Sequence, residues 1–446
     1  MRDSRLYRLF DSFTFLLLSF NLRLNDNNSY FHGGKTMKAA GNSSIRSLMS
    51  AAALGIGLCL VPPAYAGYFL SPVSLGFPAY AGYFILDSSG KVLADFKLEG
   101  DHSGAYAIND AGQVVGEFRT AAGDYHAFIT GANGAGMTDL GTLGGRGSVA
   151  TAINGAGQVA GWSGTAAGDV RAFITGPNGV GMTDLGALGG RYSAAYGIND
   201  AGQVTGEFRM AENPGYFHAF ITGPGGAGMT DLGTLGGRES FARDINDAGQ
   251  VVGTAATAVG GFHSFVTGLD GVDMTDLGTG GGRYSLTIND AGQVAGTYYN
   301  AAVGGWGAFI TGPDGVGMTD LGTLGGTQST VGAINDLGQV VGHSFTAAGD
   351  AHVFITGPNG VGMTDLSLLA ELPAGYVLVH AIDINNKGQI LVAVSAVPEP
   401  EAYALMLAGL MLIGILAPRR KPGAASVADF GRAWAIGAKK PQNYVK

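Results

Sequence analysis

The chain has 446 residues, of which 78 are glycine, 46% are hydrophobic and only 13% are charged. The hydrophobic share excludes a disordered chain, and the lack of a Gly-x-y period excludes collagen. So few Lys, Glu and Arg residues argue against long helices or coiled coils. The glycine content instead favours many short strands joined by tight turns.

The charge is unevenly distributed. The net charge is −9, but residues 67–417 contain 11 Lys and Arg against 30 Asp and Glu. A body this acidic argues against a nucleic-acid partner. The single cysteine, Cys59, lies near the N-terminus, so the body has neither a disulfide nor a Cys-ligated metal.

The N-terminal region has the layout of a secretion signal. Basic residues after Met37 precede an apolar run over 48–61, and a small-x-small cleavage pattern follows, with Ala64 and Ala66 as its small residues. We therefore predict a signal peptide over 37–66, cut after Ala66. A transmembrane anchor is the alternative, but the apolar run is shorter than the ~20 residues that span a membrane.

Two flanking segments complete the N-terminal interpretation. Residues 1–36 are interpreted as upstream translation without structure, because Met37 is the better start of a signal peptide. Residues 67–81 are predicted to be a linker. The phrase at 63–69 is duplicated at 78–84, so cleavage after Ala81 is a second possibility.

The region 82–396 repeats a unit of about 45 residues. A turn phrase, Asn-x-x-Gly-Gln, begins at Asn109, Asn154, Asn199, Asn246, Asn289, Asn335 and Asn385. A strand phrase of the type His-Ala-Phe-Ile-Thr-Gly alternates with it, and its phenylalanine is Phe84, Phe128, Phe173, Phe220, Phe265, Phe309 or Phe354. The spacings of 44 to 47 residues indicate seven copies of one structural unit.

Each copy contains four short strand candidates separated by Gly-Pro, Asn-Gly and Gly-Gly turns. In the second copy they cover 126–130, 137–141, 148–154 and 158–163. One small four-stranded sheet cannot bury both faces, whereas sheets stacked in a closed ring can. We predict an all-β, seven-bladed β-propeller over 82–396, with its first and seventh blades packed face to face. An open β-solenoid is the alternative.

The repeat phrases "HAFITG", "MTDLGTLGG" and "INDAGQVVG" resemble the HAF repeats of predicted extracellular bacterial proteins. The resemblance covers nearly all of 82–396. It implies an extracellular location and a repeat structure, and it implies no biochemical activity.

The C-terminal region has three parts. Val397-Pro398-Glu399-Pro400 is followed by an apolar stretch over 402–417 and by the basic cluster Arg419-Arg420-Lys421. The apolar stretch would enter a bilayer, the basic cluster would stay on the cytoplasmic side, and membrane contact would be transient. A plain C-terminal anchor is the alternative.

This layout over 397–421 resembles the PEP-CTERM sorting signal of Gram-negative bacteria, which exosortase recognises. By this resemblance Pro398, Glu399 and Pro400 match the recognition motif, and the basic cluster Arg419, Arg420 and Lys421 matches the basic stop. The chain departs from the family because residues 422–446 follow the cluster. We predict that this tail is disordered, and its presence puts efficient processing in doubt.

An aspartate follows every repeated phenylalanine by eleven residues: Asp95, Asp139, Asp184, Asp231, Asp276, Asp320 and Asp365. We predict that these carboxylates hydrogen-bond turn amides within each blade. The alternative is a ring of carboxylates that binds Ca²⁺ at the channel. Seven equal copies are atypical of a catalytic site, so the sequence predicts no catalytic residue, metal or cofactor.

Two other residue types recur in most copies. Arginines lie seven residues after an aspartate and suggest within-blade Asp–Arg pairs, although Thr327 breaks the pattern: Arg146, Arg191, Arg238 and Arg283. Histidines start four strand phrases, but Arg171 and Gly307 replace them elsewhere, which argues against a shared metal or acid–base role: His126, His218, His263 and His352. Trp162 and Trp306 suit either sugar stacking or blade-edge packing.

Three functions remain open from the sequence. The first is a non-enzymatic, exported surface or matrix protein, sorted by exosortase after passing the export machinery and associated with exopolysaccharide or biofilm, as the PEP-CTERM resemblance implies. The second is a propeller that binds a glycan or a surface protein at one end of its ring. The third is a hydrolase or lyase in the central channel, which requires unit-specific polar residues at one mouth. All three place the protein outside the cytoplasm of a Gram-negative cell.

Overall fold

The computed structural model describes residues 29–32, 35–38, 82–96, 103–281, 286–300 and 304–397. The chain divides into two units, Met1–Tyr68 and Phe69–Lys446. The first contains an antiparallel hairpin of β1 (Ser29–His32) and β2 (Lys35–Lys38). The second contains all the remaining strands. The predicted boundaries of the signal peptide, linker, sorting signal and tail stay predictions.

The second unit is built from seven four-stranded antiparallel sheets. Blades 1 to 3 consist of β5 (Gly104–Ile108), β6 (Val114–Arg119), β7 (Tyr125–Thr130) and β8 (Met137–Gly141); β9 (Gly144–Ile153), β10 (Val159–Thr165), β11 (Val170–Thr175) and β12 (Met182–Asp184); and β13 (Ser193–Ile198), β14 (Val204–Arg209), β15 (Phe217–Thr222) and β16 (Met229–Gly233). Blades 4 to 6 consist of β17 (Gly236–Ile245), β18 (Val251–Thr257), β19 (Phe262–Thr267) and β20 (Met274–Gly281); β21 (Leu286–Ile288), β22 (Val294–Asn300), β23 (Gly305–Thr311) and β24 (Met318–Gly322); and β25 (Gly325–Ile334), β26 (Val340–Thr346), β27 (Ala351–Thr356) and β28 (Met363–Asp365).

Blade 7 joins the two ends of the repeat region. It consists of β29 (Tyr376–Ile384), β30 (Ile390–Ala396), β3 (Gly82–Leu86) and β4 (Val92–Phe96). Strand β3 pairs with β30 from Gly82 opposite Val394 to Leu86 opposite Ile390. The ring is therefore closed by backbone hydrogen bonds within one sheet. The predicted seven-bladed β-propeller is confirmed, and the alternative of an open solenoid is wrong.

The sequence repeat and the blade are out of phase by two strands. The four candidates of the second copy correspond to β7, β8, β9 and β10, which belong to blades 1 and 2. The expected packing of the first blade against the seventh is present, because Ile85 and Leu391 of blade 7 share a core with Ile108 of blade 1, but the blade boundaries implied by the repeat are wrong. The first copy supplies the outer half of blade 7. Edge-to-edge pairing of β3 with β30 gives hydrogen-bond partners to backbone N–H and C=O groups that face-to-face packing would leave without partners.

The repeated phenylalanines form the core between neighbouring blades. Six of them are at most 1% exposed, and Phe84 is 4% exposed. In blades 1 to 6 each lies opposite a glycine of the second strand, as Phe265 lies opposite Gly253. A Cβ on Gly253 would approach the Phe241 carbonyl oxygen to 2.1 Å and the Phe265 ring to 2.8 Å. The glycine that ends the phrase "INDAGQVVG" therefore leaves room for the aromatic ring.

The helical content of the propeller is small. Helix α1 (Leu366–Leu369) follows β28 and buries Leu366. Single 3-10 turns connect the third and fourth strands of blades 1 to 6: Ala132–Gly134, Pro177–Gly179, Pro224–Gly226, Leu269–Gly271, Pro313–Gly315 and Pro358–Gly360. Their central residues, such as Asn133, have positive φ, and Asn, Asp or Gly occupies that position in all six turns.

The repeated asparagines form a closed ring of hydrogen bonds. Asn109 donates its side-chain amide to the backbone carbonyl of Asn154 at 3.0 Å, and each asparagine does the same to the next blade. Asn385 completes the ring by donating to the Asn109 carbonyl at 2.9 Å. Seven residues in mutual contact must surround the axis, so the first strand of each blade is innermost. We call this end of the propeller the asparagine end and the opposite end the arginine end.

Candidate ligand-binding end of the propeller

The seven repeated aspartates lie on the outermost strand of each blade, away from the axis: Asp95, Asp139, Asp184, Asp231, Asp276, Asp320 and Asp365. In five blades Oδ1 accepts the amide of a glycine two residues later at 2.7 or 2.8 Å. Asp365 accepts the Leu368 amide and caps α1. These carboxylates bond turn backbone at the rim, whereas the calcium alternative requires them at the channel.

The strand-phrase histidines contact the repeated aspartates. Nδ1 of His126, His218, His263 and His352 lies 2.6 to 3.0 Å from the carboxylate of the same blade. Sequence reasoning missed this pair, although the constant spacing of 13 residues between the two side chains was available. Facing strands β7 and β8 bring the two positions together, and the sequence does not show this pairing directly.

The suggested Asp–Arg pairs are not formed where both partners are described. Arg191 donates from Nε to Asp169 at 2.6 Å, and Arg171 donates to the other oxygen of Asp169 at 2.8 Å. Arg238 donates to the Tyr216 hydroxyl at 2.7 Å. Arg283 lies outside the described residues. Arg191 and Arg238 therefore bind groups of the preceding blade, Asp169 and Tyr216, and not the repeated aspartates.

The asparagine end carries a second ring, made of carboxylates. The residue after each repeated asparagine is aspartate in five blades, Asn386 in blade 7 and Gly155 in blade 2: Asp110, Asp200, Asp247, Asp290 and Asp336. Backbone amides of one blade donate to the side-chain oxygen of the next at 2.8 to 3.0 Å. Desolvation raises the pKa of Asp290, and the charges of neighbouring aspartates raise it further.

The arginines of the described propeller are concentrated at the opposite end. The first and third strands run from the arginine end to the asparagine end, and the second strand runs back. Six arginines lie at the start of a first or third strand or at the end of a second strand: Arg119, Arg146, Arg171, Arg191, Arg209 and Arg238. The seventh, Arg243, lies on β17 in the channel wall. By contrast, the propeller lysines Lys91 and Lys387 lie in turns at the asparagine end.

Blades 3 and 4 combine exposed arginine with aromatic rings at this end. Arg209 lies 5.0 Å from the centre of the Phe217 ring and 5.7 Å from that of Tyr192. Arg238 lies 5.5 Å from the Tyr216 ring. Among the described residues neither arginine has an ion-pair partner. We call Tyr192, Arg209, Tyr216, Phe217 and Arg238 the arginine–aromatic cluster.

The loop between β14 and β15 shapes this cluster. It contains seven residues, from Met210 to Tyr216, whereas the same loop has five or fewer in blades 1, 2, 4, 5 and 6. The rings of Tyr192 and Phe217 pack edge to face with their centres 5.5 Å apart. The Phe217 ring also contacts the buried Phe241 ring, with their centres 6.0 Å apart. The cluster is therefore anchored in the core between blades 3 and 4.

The channel next to the cluster also departs from the repeat. Arg243 lies 5.0 Å from the centre of the Tyr196 ring. Burial raises the pKa of the Tyr196 hydroxyl, and the Glu207 charge beside it raises the pKa further. Burial likewise raises the pKa of Tyr192. These tyrosines stay neutral across the physiological pH range and remain hydrogen-bond donors.

Two carboxylates line the channel in blades on opposite sides of the ring. Asp244 of blade 4 accepts from the Thr287 hydroxyl at 2.7 Å and from the Ile288 amide at 3.0 Å. Asp383 of blade 7 accepts the Ile108 and Ile384 amides at 2.8 Å. Burial raises the pKa of Asp383 to about 7, with a further contribution from the charge of Asp244.

Sequence reasoning missed the channel carboxylates because it followed what the copies share. The corresponding residues of other blades are small and uncharged, such as Ala107, Ala152 and Gly197. Unit-specific departures from the repeat were the available signal for the channel and for the cluster. The predicted cleavage and sorting residues, including Ala64, Ala66 and Pro398 to Pro400, lie outside the described residues. In the described ranges no helix is long and apolar enough for a membrane span.

Comparisons with known proteins return structures but no family. No protein-family model and no curated protein matches the chain. TolB from Acinetobacter baumannii is 11% identical, with 64% of this chain and 65% of TolB covered and a TM-score of 0.40. This chain thus spans slightly less than two thirds of TolB's length.

Two other matches are similar in strength. The β-propeller domain of the Trilobed protease from Pyrococcus furiosus is 10% identical, covers 64% of this chain and 98% of its own, and has a TM-score of 0.44. Oligogalacturonate lyase in complex with manganese is 11% identical, with coverages of 73% and 98% and a TM-score of 0.43. At these identities and scores the likeness concerns the propeller fold and carries no argument about activity.

Proposed function

We propose that this chain is an exported, non-enzymatic protein of the cell surface or extracellular matrix, whose propeller binds a glycan at its arginine end. One observation supports the binding role above all others. The frame of the propeller is repeated seven times, yet among the described residues only blades 3 and 4 place exposed arginines that form no ion pair against aromatic rings, next to a lengthened loop. Departures from a repeated frame that converge at one place are typical of a binding site.

The channel carboxylates support binding over catalysis. A general acid or base needs an oxygen that is free to reach the substrate. Both oxygens of Asp383 already accept backbone amides, and Asp244 accepts three hydrogen bonds, from Ile245, Thr287 and Ile288. Their contacts cross from one blade to the next, as expected of groups that hold the ring together.

The proposal of export depends on the terminal segments. The signal-peptide pattern over 37–66 and the PEP-CTERM-like segment over 397–421 support passage through the export machinery and processing by exosortase. Intact-mass measurement of the exported protein tests this directly. We expect a chain that begins at Gly67 and ends in the region of Pro398 to Pro400. Recovery of an exported chain that still carries Lys446 would refute the sorting proposal.

Binding is tested on the purified exported protein. A glycan array should give defined positive glycans with the wild-type chain and none with a double variant, Arg209→Ala with Arg238→Ala. Arg191→Ala is the matched control, because it removes an exposed arginine from the same end whose guanidinium group is already bound to Asp169. Equal signals from the double variant would refute the location of the site, and the absence of any glycan signal would refute glycan binding.

A further inference from the structure

We infer that the arginine–aromatic cluster recognises the carboxylate groups of an acidic polysaccharide. This inference rests on the proposed glycan-binding function and specifies the class of glycan. The charges of the molecule favour one docking end for a polyanion. The asparagine end presents the ring of aspartates that follow the repeated asparagines, which repels an anionic polymer, whereas the cations of the propeller are concentrated at the arginine end.

The two cluster arginines differ from other arginines at the same end. Arg171 and Arg191 share the carboxylate of Asp169, so both guanidinium groups are held in ion pairs, although the three groups together keep one positive charge. Arg209 and Arg238 are exposed, and in the described chain they form no ion pair. Glu212 and Glu239 lie nearby in the sequence but do not pair with them. Arg119 and Arg146 are likewise exposed and form no ion pair in the described chain, but only Arg209 and Arg238 at this end also lie against aromatic rings there, which positions their guanidinium groups for an external anion.

Stacking prepares these groups for carboxylate recognition. Arg209 lies over Phe217 and Tyr192, and Arg238 lies over Tyr216, so the aromatic rings restrict both side chains before a ligand arrives. Such a guanidinium retains N–H groups at its edge, which bind a carboxylate through two parallel hydrogen bonds. Less conformational freedom is then lost on binding.

The arrangement suits a polymer that carries a charge on successive sugars. Tyr216 and Phe217 are consecutive residues, and each contacts one of the two arginines. The two cations therefore lie at the same end of two neighbouring blades, 3 and 4. A polymer with a carboxylate on every sugar can present one carboxylate to each cation, while the half-buried Tyr216 and Phe217 offer apolar surface to the sugar rings.

The experiment compares two polymers that differ only in charge. Binding of the exported protein to polygalacturonate and to its fully methyl-esterified form is measured by calorimetry at low and high salt. We expect the acidic polymer to bind at least about tenfold more tightly, and the affinity to fall as salt rises. Equal affinity for the two polymers would overturn the inference while leaving glycan binding intact. Failure to bind any glycan on the array would remove the proposed function as well.

Variants locate the contact. Arg209→Ala and Arg238→Ala should each weaken polygalacturonate binding by about tenfold, and Arg209→Lys should recover only part of the loss, since an ammonium cannot form the two parallel bonds. Arg191→Ala should change affinity less than about twofold, because its guanidinium group is bound to Asp169 and does not lie against the cluster's aromatic rings. An equal loss from Arg191→Ala, or tight binding of single-stranded DNA by the same surface, would indicate general attraction of anions and overturn the inference. Unchanged melting temperatures of the variants verify that each is folded.

Discussion

The same seven blades form both ends of the propeller, but the residues at the two ends follow the sequence repeat to different degrees. At the asparagine end, every blade presents the same asparagine and the same hydrogen bond to its neighbour. At the arginine end, loop length, aromatic residues and arginine partners change from blade to blade. The repeat is thus strict where neighbouring copies must bond each other and relaxed where a partner could be bound.

The largest expected effect comes from removing the outer half of blade 7. Deletion of 82–96 removes β3 and β4, exposes the edge of β30 and uncovers apolar surface, so we expect aggregation or loss of cooperative unfolding. Size-exclusion chromatography and thermal melting test this. A matched chain that ends at Val397 keeps all described propeller strands and should melt like the full chain. A monomeric deletion variant with nearly proportional stability would contradict ring closure as a requirement.

The asparagine ring gives the next largest effect. The buried Asn246 accepts the Gln250 amide and donates to Gln250 Oε1 and to the Asn289 carbonyl. Asn246→Ala removes these bonds from a buried site and should lower the free energy of unfolding by roughly 2–4 kcal/mol. Urea denaturation measures this, with Arg209→Ala as the control from the other end. Equal losses in the free energy of unfolding from the two substitutions would contradict the distinction between a structural end and a binding end.

The rim aspartates should have an intermediate effect. Asp231 bonds the Gly233 amide and His218, so Asp231→Ala should lower the free energy of unfolding by roughly 1–2 kcal/mol. Calcium should leave the melting temperature of the wild type unchanged. A calcium-dependent rise that a chelator reverses, and that Asp231→Ala reduces, would instead support a metal at the rim.

The pH dependence of the free energy of unfolding tests one channel carboxylate, Asp383. Burial raises the pKa of Asp383 in the folded state from its ordinary value of 3.8 to about 7. A raised carboxyl pKa favours the protonated form, so its stabilising contribution is present below about pH 4 and is lost as pH rises through 7. The stability of Asp383→Asn relative to wild type should therefore increase from pH 4 to pH 8. A difference that does not vary with pH would show that Asp383 keeps an ordinary pKa.

The smallest effect is expected at the exposed ion pair of Arg191. Its side chain is 79% exposed, and Asp169 keeps Arg171 as a second partner. Arg191→Ala should change the free energy of unfolding by less than about 1 kcal/mol, and high salt should remove even that change. A larger loss in urea denaturation would mean that the arginine end also holds the ring together.

The repeat in the sequence was sufficient for the strands and the blade number. A spacing of 44 to 47 residues with four turn-bounded strands predicts seven sheets, and burial of Phe128 or Phe265 follows from the same pattern. The sequence did not show at which strand of the repeat each blade begins, because a periodic sequence has no natural starting point. Pairing between β3 and β30 selects the phase, and that pairing joins residues about 300 positions apart.

The candidate site was less accessible to sequence reasoning than the frame. The Asn109 side chain accepts the Ala111 and Gln113 amides of its own turn, a local contact typical of a turn asparagine. Its bond to Asn154 depends on how two blades pack, which no local pattern encodes. Arg209 and Phe217 belong to different strands and are unremarkable alone, and their stacking became evident only when β14 and β15 were paired. Contacts between side chains of neighbouring strands can be predicted only when the strand register is known. Contacts between side chains of neighbouring blades can be predicted only when the packing of the blades in the ring is known.

The closure of blade 7 also determines how the molecule responds to mechanical force. Strands β30 and β3 are antiparallel, and Ala396 and Gly82 lie at the same end of their shared ladder. Tension applied between these two residues pulls the strands apart from one end, so the hydrogen bonds break one after another instead of all together. The seam between β30 and β3 is therefore expected to open by unzipping, at low force, when tension acts between these two ends of the repeat region.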